Sequence, residues 1–89
     1  MLVDCLTLWV TNLMLGDHDI DAATLRLEAA LATRSAPTFL VANEVGLGIV
    51  PDNKMARDFR DHAGRLHQRL AQKADQVILM VAGLPLTVK

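Results

Sequence analysis

Aromatic residues are scarce in this sequence: among 89 residues there are two phenylalanines, one tryptophan and no tyrosine. Proteins that stack nucleic-acid bases build the platform from aromatic rings set in basic charge. The chain has neither, since nine Lys and Arg face ten Asp and Glu for a net charge of −1. Nucleic acid is therefore not an expected partner. Cysteine is almost missing as well. The single Cys5 lies in an apolar run, with no second thiol for an internal disulfide and no partner at zinc spacing. A buried thiol in a reducing compartment is the expectation, and with it a cytoplasmic location. Nor is there a long unbroken hydrophobic run. MLVDCLTLWVTNLML is interrupted by Asp4, is too short for a membrane span, and shows neither a basic n-region nor an A-x-A site.

Aliphatic side chains, by contrast, are abundant, and 52% of residues are hydrophobic. A chain of this length is one domain or part of one, and it buries only about 60 to 65% of the surface its unfolded form exposes. It carries more apolar surface than it can easily hide. An aliphatic and alanine-rich composition suits helices packed on a sheet.

The order of elements follows from periodicity. Leu2 and Val3 end an apolar strand at Asp4, and Leu6, Trp9, Val10, Leu13 and Met14 recur at helical spacing. Gly16 to Asp19 is a polar loop. Asp21 is the expected cap of a second helix with Ala22, Leu25, Ala29 and Ala32 on one face, ended by Ser35, Ala36 and Pro37. TFLVA, Thr38 to Ala42, has the continuous apolar character of a parallel strand buried on both faces. Asp52 or Asn53 caps a long amphipathic helix carrying Met55, Phe59, Ala63, Leu66 and Leu70. QVILMVA, Gln76 to Ala82, is a further buried-type strand, and GLPLTVK turns into a last short one. The order β-α-α-β-α-β-β predicts an α/β fold with a mainly parallel sheet and flanking helices. Strands in such sheets run to about five or six residues, so the first, with three residues before Asp4, is expected to be the end of a longer one.

Two acids follow apolar strands. An acid in the position of Asp4 is what P-loop proteins use to place a carboxylate near Mg²⁺ and nucleotide phosphates; the competing and more common role is to cap the next helix. Glu44 follows TFLVAN, where open α/β sheets bind ligands beyond the carboxyl ends of their strands. Its ordinary alternative is a loop acid satisfied by the backbone amides around Gly46 and Gly48. Those glycines spell G-L-G-I-V-P, neither a dinucleotide fingerprint nor G-x-x-x-x-G-K-[ST]. His18, His62 and His67 invite a metal or catalytic reading, but His62 and His67 lie five apart, so they do not share a helix face as an i, i+4 ligand pair would, and surface or partly buried histidines are the expectation. Arg57, Arg60, Arg65 and Arg69 offer a phosphate-facing stripe, but Arg57 and Asp61 stand at i, i+4 pairing distance and a solvated helix face is the default.

VDCLTLWVTNL, VANEVGLGIVPDN, ARDFRDHAGRLHQRLAQKAD and the ending VILMVAGLPLTVK together resemble the C-terminal half of the adenosylcobinamide kinase / adenosylcobinamide-phosphate guanylyltransferase family, across nearly the whole chain. His62 and His67 are minor departures from that pattern. The resemblance implies the C-terminal part of a RecA-like P-loop fold, so that residues 1–89 are a partial nucleotide-binding α/β domain. It implies GTP or ATP with Mg²⁺ as cofactors, adenosylcobinamide and its phosphate as substrates, and a homo-oligomer. The implied reactions are phosphorylation of the cobinamide aminopropanol hydroxyl, then GMP transfer from GTP through a guanylyl-histidine. Asp4 matches the acid that contacts the guanine nucleotide, and Asn43 and Glu44 match a strand-end pair supporting the site.

No part of the chain matches the family's glycine-rich loop with its Lys and Ser, or its guanylylated histidine. No catalytic residue is assigned for that reason, and no metal ligand. The chain is expected to need a separate P-loop half for activity; the alternative is a non-catalytic truncated remnant acting as an oligomerising structural module.

Overall fold

Asp19 and Asn53 decide where two of the three helices begin. Asp19 Oδ1 accepts a hydrogen bond from Ala22 N at 3.1 Å, and Asn53 Oδ1 accepts one from Ala56 N at 2.7 Å, each satisfying an amide that the first helical turn leaves without a partner. In the computed structural model, which describes Met1 to Lys89, the elements are β1 (Leu2–Asp4), α1 (Leu6–Leu15), α2 (Ile20–Ala32), β2 (Phe39–Val41), α3 (Lys54–Lys73), β3 (Ile78–Val81) and β4 (Leu84–Thr87). This is the order read from the sequence. The cap of α2 is Asp19 rather than Asp21, which sits in the first turn, where its charge favours the helix N-terminus.

The strands form two separate two-stranded sheets. β1 and β2 run parallel, with Leu2 opposite Phe39, Val3 opposite Leu40 and Asp4 opposite Val41. β3 and β4 form an antiparallel hairpin with Val81 opposite Leu84. Its two turn residues, Ala82 and Gly83, have φ of 51° and 75°, the positive pair that matches the twist of a tight hairpin. A single mainly parallel sheet is thus not formed: one pair is parallel, and β2 and β3, although linked through α3, do not bond to each other.

The core lies between α1 and α3. Leu6 and Val10 meet Leu66 and Leu70, with Val3, Leu40, Trp9 and Phe59 packed around them. α2 docks through Ile20, Ala23 and Thr24, supported by the half-buried Leu27 and Leu31. The expected face of Ala22, Leu25, Ala29 and Ala32 points mostly outward, and Leu25 is exposed. Ile20, Leu27 and Leu31 together offer more apolar area than Leu25 with three alanines, so the helix turns that side inward. Met55 is likewise exposed at the start of α3, where the chain has nothing to pack on it.

Only nine of the 89 residues are buried, so most of the apolar surface has no cover within this chain. Leu2, Phe39 and Val41 on the parallel pair are exposed, as are Ile78, Met80, Leu84 and Leu86 on the hairpin. TFLVA, expected to be buried on both faces, is covered on one: Leu40 is half-buried against the core, while Phe39 and Val41 stay exposed. No helix is long and apolar enough to cross a membrane.

Candidate strand-end site

β1 delivers Asp4 at its carboxyl end with the side chain exposed. The next residue takes over the task of starting α1. Cys5 has the extended backbone of a helix cap, φ −137° and ψ 147°, and its Sγ accepts from Leu8 N at 3.4 Å. The Asp4 carboxylate is therefore not the helix cap, and the commonplace explanation for an acid at this position does not apply. Cys5 is half-buried rather than buried, because a capping side chain has to lie at the open end of its helix. Hydrogen bonds from Thr7 and Leu8 lower its pKa below the ordinary thiol value.

Thr7, in the first turn of α1, is buried. Its Oγ1 lies 2.7 Å from Cys5 Sγ and accepts from Asn43 N at 3.3 Å. Asn43 leaves β2 at the same end at which Asp4 leaves β1, so parallel pairing and the Thr7 bond bring the two to one edge. Beside Asp4 lies an open groove of about 580 Å³ between α1 and α2, with Leu8, Trp9, Asn12 and Arg26 among its lining residues.

Glu44 turns away from this groove into its own loop. Its Oε1 accepts from Gly46 N at 2.7 Å and its Oε2 from Leu47 N at 2.9 Å, which is the loop-acid arrangement. Gly46 fits closely, since a Cβ there would stand 3.0 Å from Glu44 Oε1. The same carboxylate acts on His67 of α3. Burial lowers the His67 pKa, and the charge of Glu44 partly opposes the shift. His67 Nε2 is buried without a hydrogen-bond partner.

The remaining candidates disperse. His62 Nδ1 lies 2.9 Å from Arg65 Nη2, and His18 is exposed beside Gly16. The arginines serve local structure: Arg60 pairs with Asp61, Arg57 donates to the carbonyls of Pro51 and Asp52, and Arg69 pairs with Glu28. The expected Arg57–Asp61 pair does not form, because the loop carbonyls before α3 take the guanidinium first. Sequence inspection missed the Cys5 cap, the Thr7 bridge and the His67 environment. The β-to-α junction at D-C-L-T was the available signal for the first two; nothing in the sequence marked the third.

The residues present do not assemble a phosphate or Mg²⁺ site by themselves. No group of three His, Cys, Asp or Glu side chains converges, and the groove beside Asp4 has Arg26 as its one cation and no lysine. What the arrangement does supply is an exposed carboxylate and a strand exit at the carboxyl edge of a parallel pair.

That edge is where open α/β proteins bind their ligands, and the chain is an α/β protein with one parallel strand pair. The family model for cobinamide kinase / cobinamide phosphate guanyltransferase matches residues 1–88, and the chain belongs to that family. It is 44% identical over 91 residues to the bifunctional adenosylcobalamin biosynthesis protein CobP of Pseudomonas aeruginosa, an alignment covering 100% of this chain and 53% of that protein. The bifunctional adenosylcobalamin biosynthesis protein CobU of Salmonella typhimurium is 43% identical over 104 residues, and its Escherichia coli counterpart 41%, with 100% of this chain and 58% of each relative covered. The chain thus spans little more than half the length of these relatives.

Proposed function

We propose that residues 1–89 are the C-terminal half of a P-loop nucleotide-binding domain that serves cobinamide phosphorylation and guanylyl transfer in cobalamin nucleotide-loop assembly. The half becomes active only together with a P-loop half. The observation that carries this reading is the exposed Asp4 carboxylate at the end of β1, freed from helix capping by Cys5 and set in a chain that matches the family over residues 1–88. Asp4 contacts the guanine nucleotide, and Asn43 and Glu44 support the site by shaping the loop beyond β2.

Placing phosphates and Mg²⁺ requires backbone amides and a lysine, and guanylyl transfer requires a nucleophilic histidine; both come from the other half. No step of either reaction is assigned to this chain alone. GTP or ATP with Mg²⁺ binds to the joined halves, with adenosylcobinamide or its phosphate as the second substrate.

Calorimetric titration with Mg²⁺·GTP tests the reading. The 89-residue chain alone should give no binding heat, the chain mixed with the N-terminal half of the Pseudomonas aeruginosa relative should give saturable binding, and Asp4→Asn should weaken it. Unchanged affinity in Asp4→Asn would remove Asp4 from the site.

A second reading, a non-catalytic oligomerising module, has the exposed apolar surface in its favour: Phe39, Leu47, Leu84 and Ile49 are 67%, 82%, 69% and 96% exposed. Self-association in sedimentation velocity, with no nucleotide binding after the P-loop half is added, would favour it.

A further inference from the structure

We propose that Thr7 is the positioning residue of the strand-end site, holding the exit of β2 against the first turn of α1 so that Asn43 and its loop stay beside Asp4. The functional consequence rests on the nucleotide-site reading above; the geometric role does not.

The parallel ladder stops at the pair Asp4 and Val41. Asn43 lies two residues beyond, and backbone pairing no longer restrains it. Its amide donates to Thr7 Oγ1 at 3.3 Å, across 36 residues of sequence. Thr7 is well placed to act as this anchor, because its neighbours Leu6 and Val10 are core residues packed on Leu66 and Leu70 of α3. The hydroxyl therefore ties the loop to the packed core between α1 and α3.

The same oxygen lies 2.7 Å from Cys5 Sγ, which also takes the Leu8 amide. One buried hydroxyl thus joins the residue after Asp4, the first turn of α1 and the exit of β2. Valine at position 7 would keep the β-branched shape and lose the acceptor; serine would keep the acceptor and lose a methyl. A packing role predicts that valine is tolerated and serine is not. A positioning role predicts the reverse.

The test is amide hydrogen exchange and the ¹⁵N–¹H resonance of Asn43 in the wild-type chain, Thr7→Val and Thr7→Ser. In Thr7→Val, the Asn43 amide should exchange faster by about tenfold or more and its proton should move upfield, as a lost hydrogen bond requires. Amides of α1 and α3 should keep their protection, and Thr7→Ser should restore both Asn43 signals. Equal Asn43 exchange in Thr7→Val and wild type would overturn the proposal. If Thr7→Val does not fold, Thr7→Ser and Thr7→Ala decide: wild-type Asn43 behaviour in serine and its loss in alanine support the latch, and matching behaviour in the two overturns it. None of these readouts uses nucleotide. In the joined halves, Thr7→Val should lower kcat with Thr7→Ser restoring it, whereas unchanged nucleotide affinity in Asp4→Asn would sink the site reading while leaving the latch standing.

Discussion

Arg69 holds Glu28 with two nitrogens: Nε lies 2.6 Å from Oε1 and Nη2 lies 3.0 Å from Oε2, linking α3 to α2 across 41 residues. Such a planar two-point contact fixes orientation as well as distance. It explains why α2 turns Glu28 inward while Leu25, one turn earlier, stays exposed.

The pair makes a prediction about acid stability. The Arg69 hydrogen bond lowers the Glu28 pKa, so the folded state binds this proton less readily than the unfolded state. The stabilisation is fully present above the unfolded value of about 4.3 and is lost as the pH falls through the depressed folded value. Glu28→Gln should flatten the pH dependence of the urea midpoint in that acidic range. Because the pair is partly solvated, its effect at neutral pH should be small and should shrink in high salt.

His67 predicts a second window, nearer neutrality. Its pKa is lowered chiefly by burial, with Glu44 opposing, so protonation favours the unfolded chain. The contribution of the neutral ring is intact above the unfolded value of about 6.5, and is lost as the pH falls through the lower folded value. The wild-type urea midpoint should fall between pH 7.5 and 5.5, and His67→Gln should remove most of that fall.

Leu66 is 2% exposed and sits in a cluster of four buried residues. Leu66→Ala should cost about 2 to 5 kcal/mol, the usual range for such a truncation. In a chain with so few buried residues, that loss should appear as a fall in protection throughout α1 and α3 in hydrogen exchange. A purely local change would show that the two helices are not held by this cluster.

Glu44 holds the loop after β2 through the amides of Gly46 and Leu47. Glu44→Ala should free both amides and speed proteolytic cleavage between residues 45 and 50, with α3 unaffected. Gly46→Ala should do the same more weakly, since its Cβ would press on Oε1. Wild-type cleavage rates in Glu44→Ala would show that the loop is held by something else.

Helix and strand identities were legible because they depend on local periodicity. The three-and-four-residue spacing of Phe59, Ala63, Leu66 and Leu70, and the cap at Asn53, need no partner to be recognised. The match over VDCLTLWVTNL and NEVGLGIVP named the family for the same reason: residue types in order suffice. Position in space is another matter. Whether Asp4 caps α1 or is left exposed depends on the backbone at Cys5, and whether Glu44 points into the groove or into its own loop depends on where Gly46 and Leu47 lie.

By itself the sequence determined the order of elements, the family and the candidate acids, because each is written in short-range pattern. Only the tertiary structure decided that Thr7 joins the two strand ends, that α2 turns Ile20, Ala23 and Leu27 inward instead of the face of Leu25, Ala29 and Ala32, and that the strands form two pairs. Those outcomes depend on contacts between segments tens of residues apart, where competing amounts of buried apolar area and available hydrogen-bond partners choose among arrangements that local pattern leaves equal.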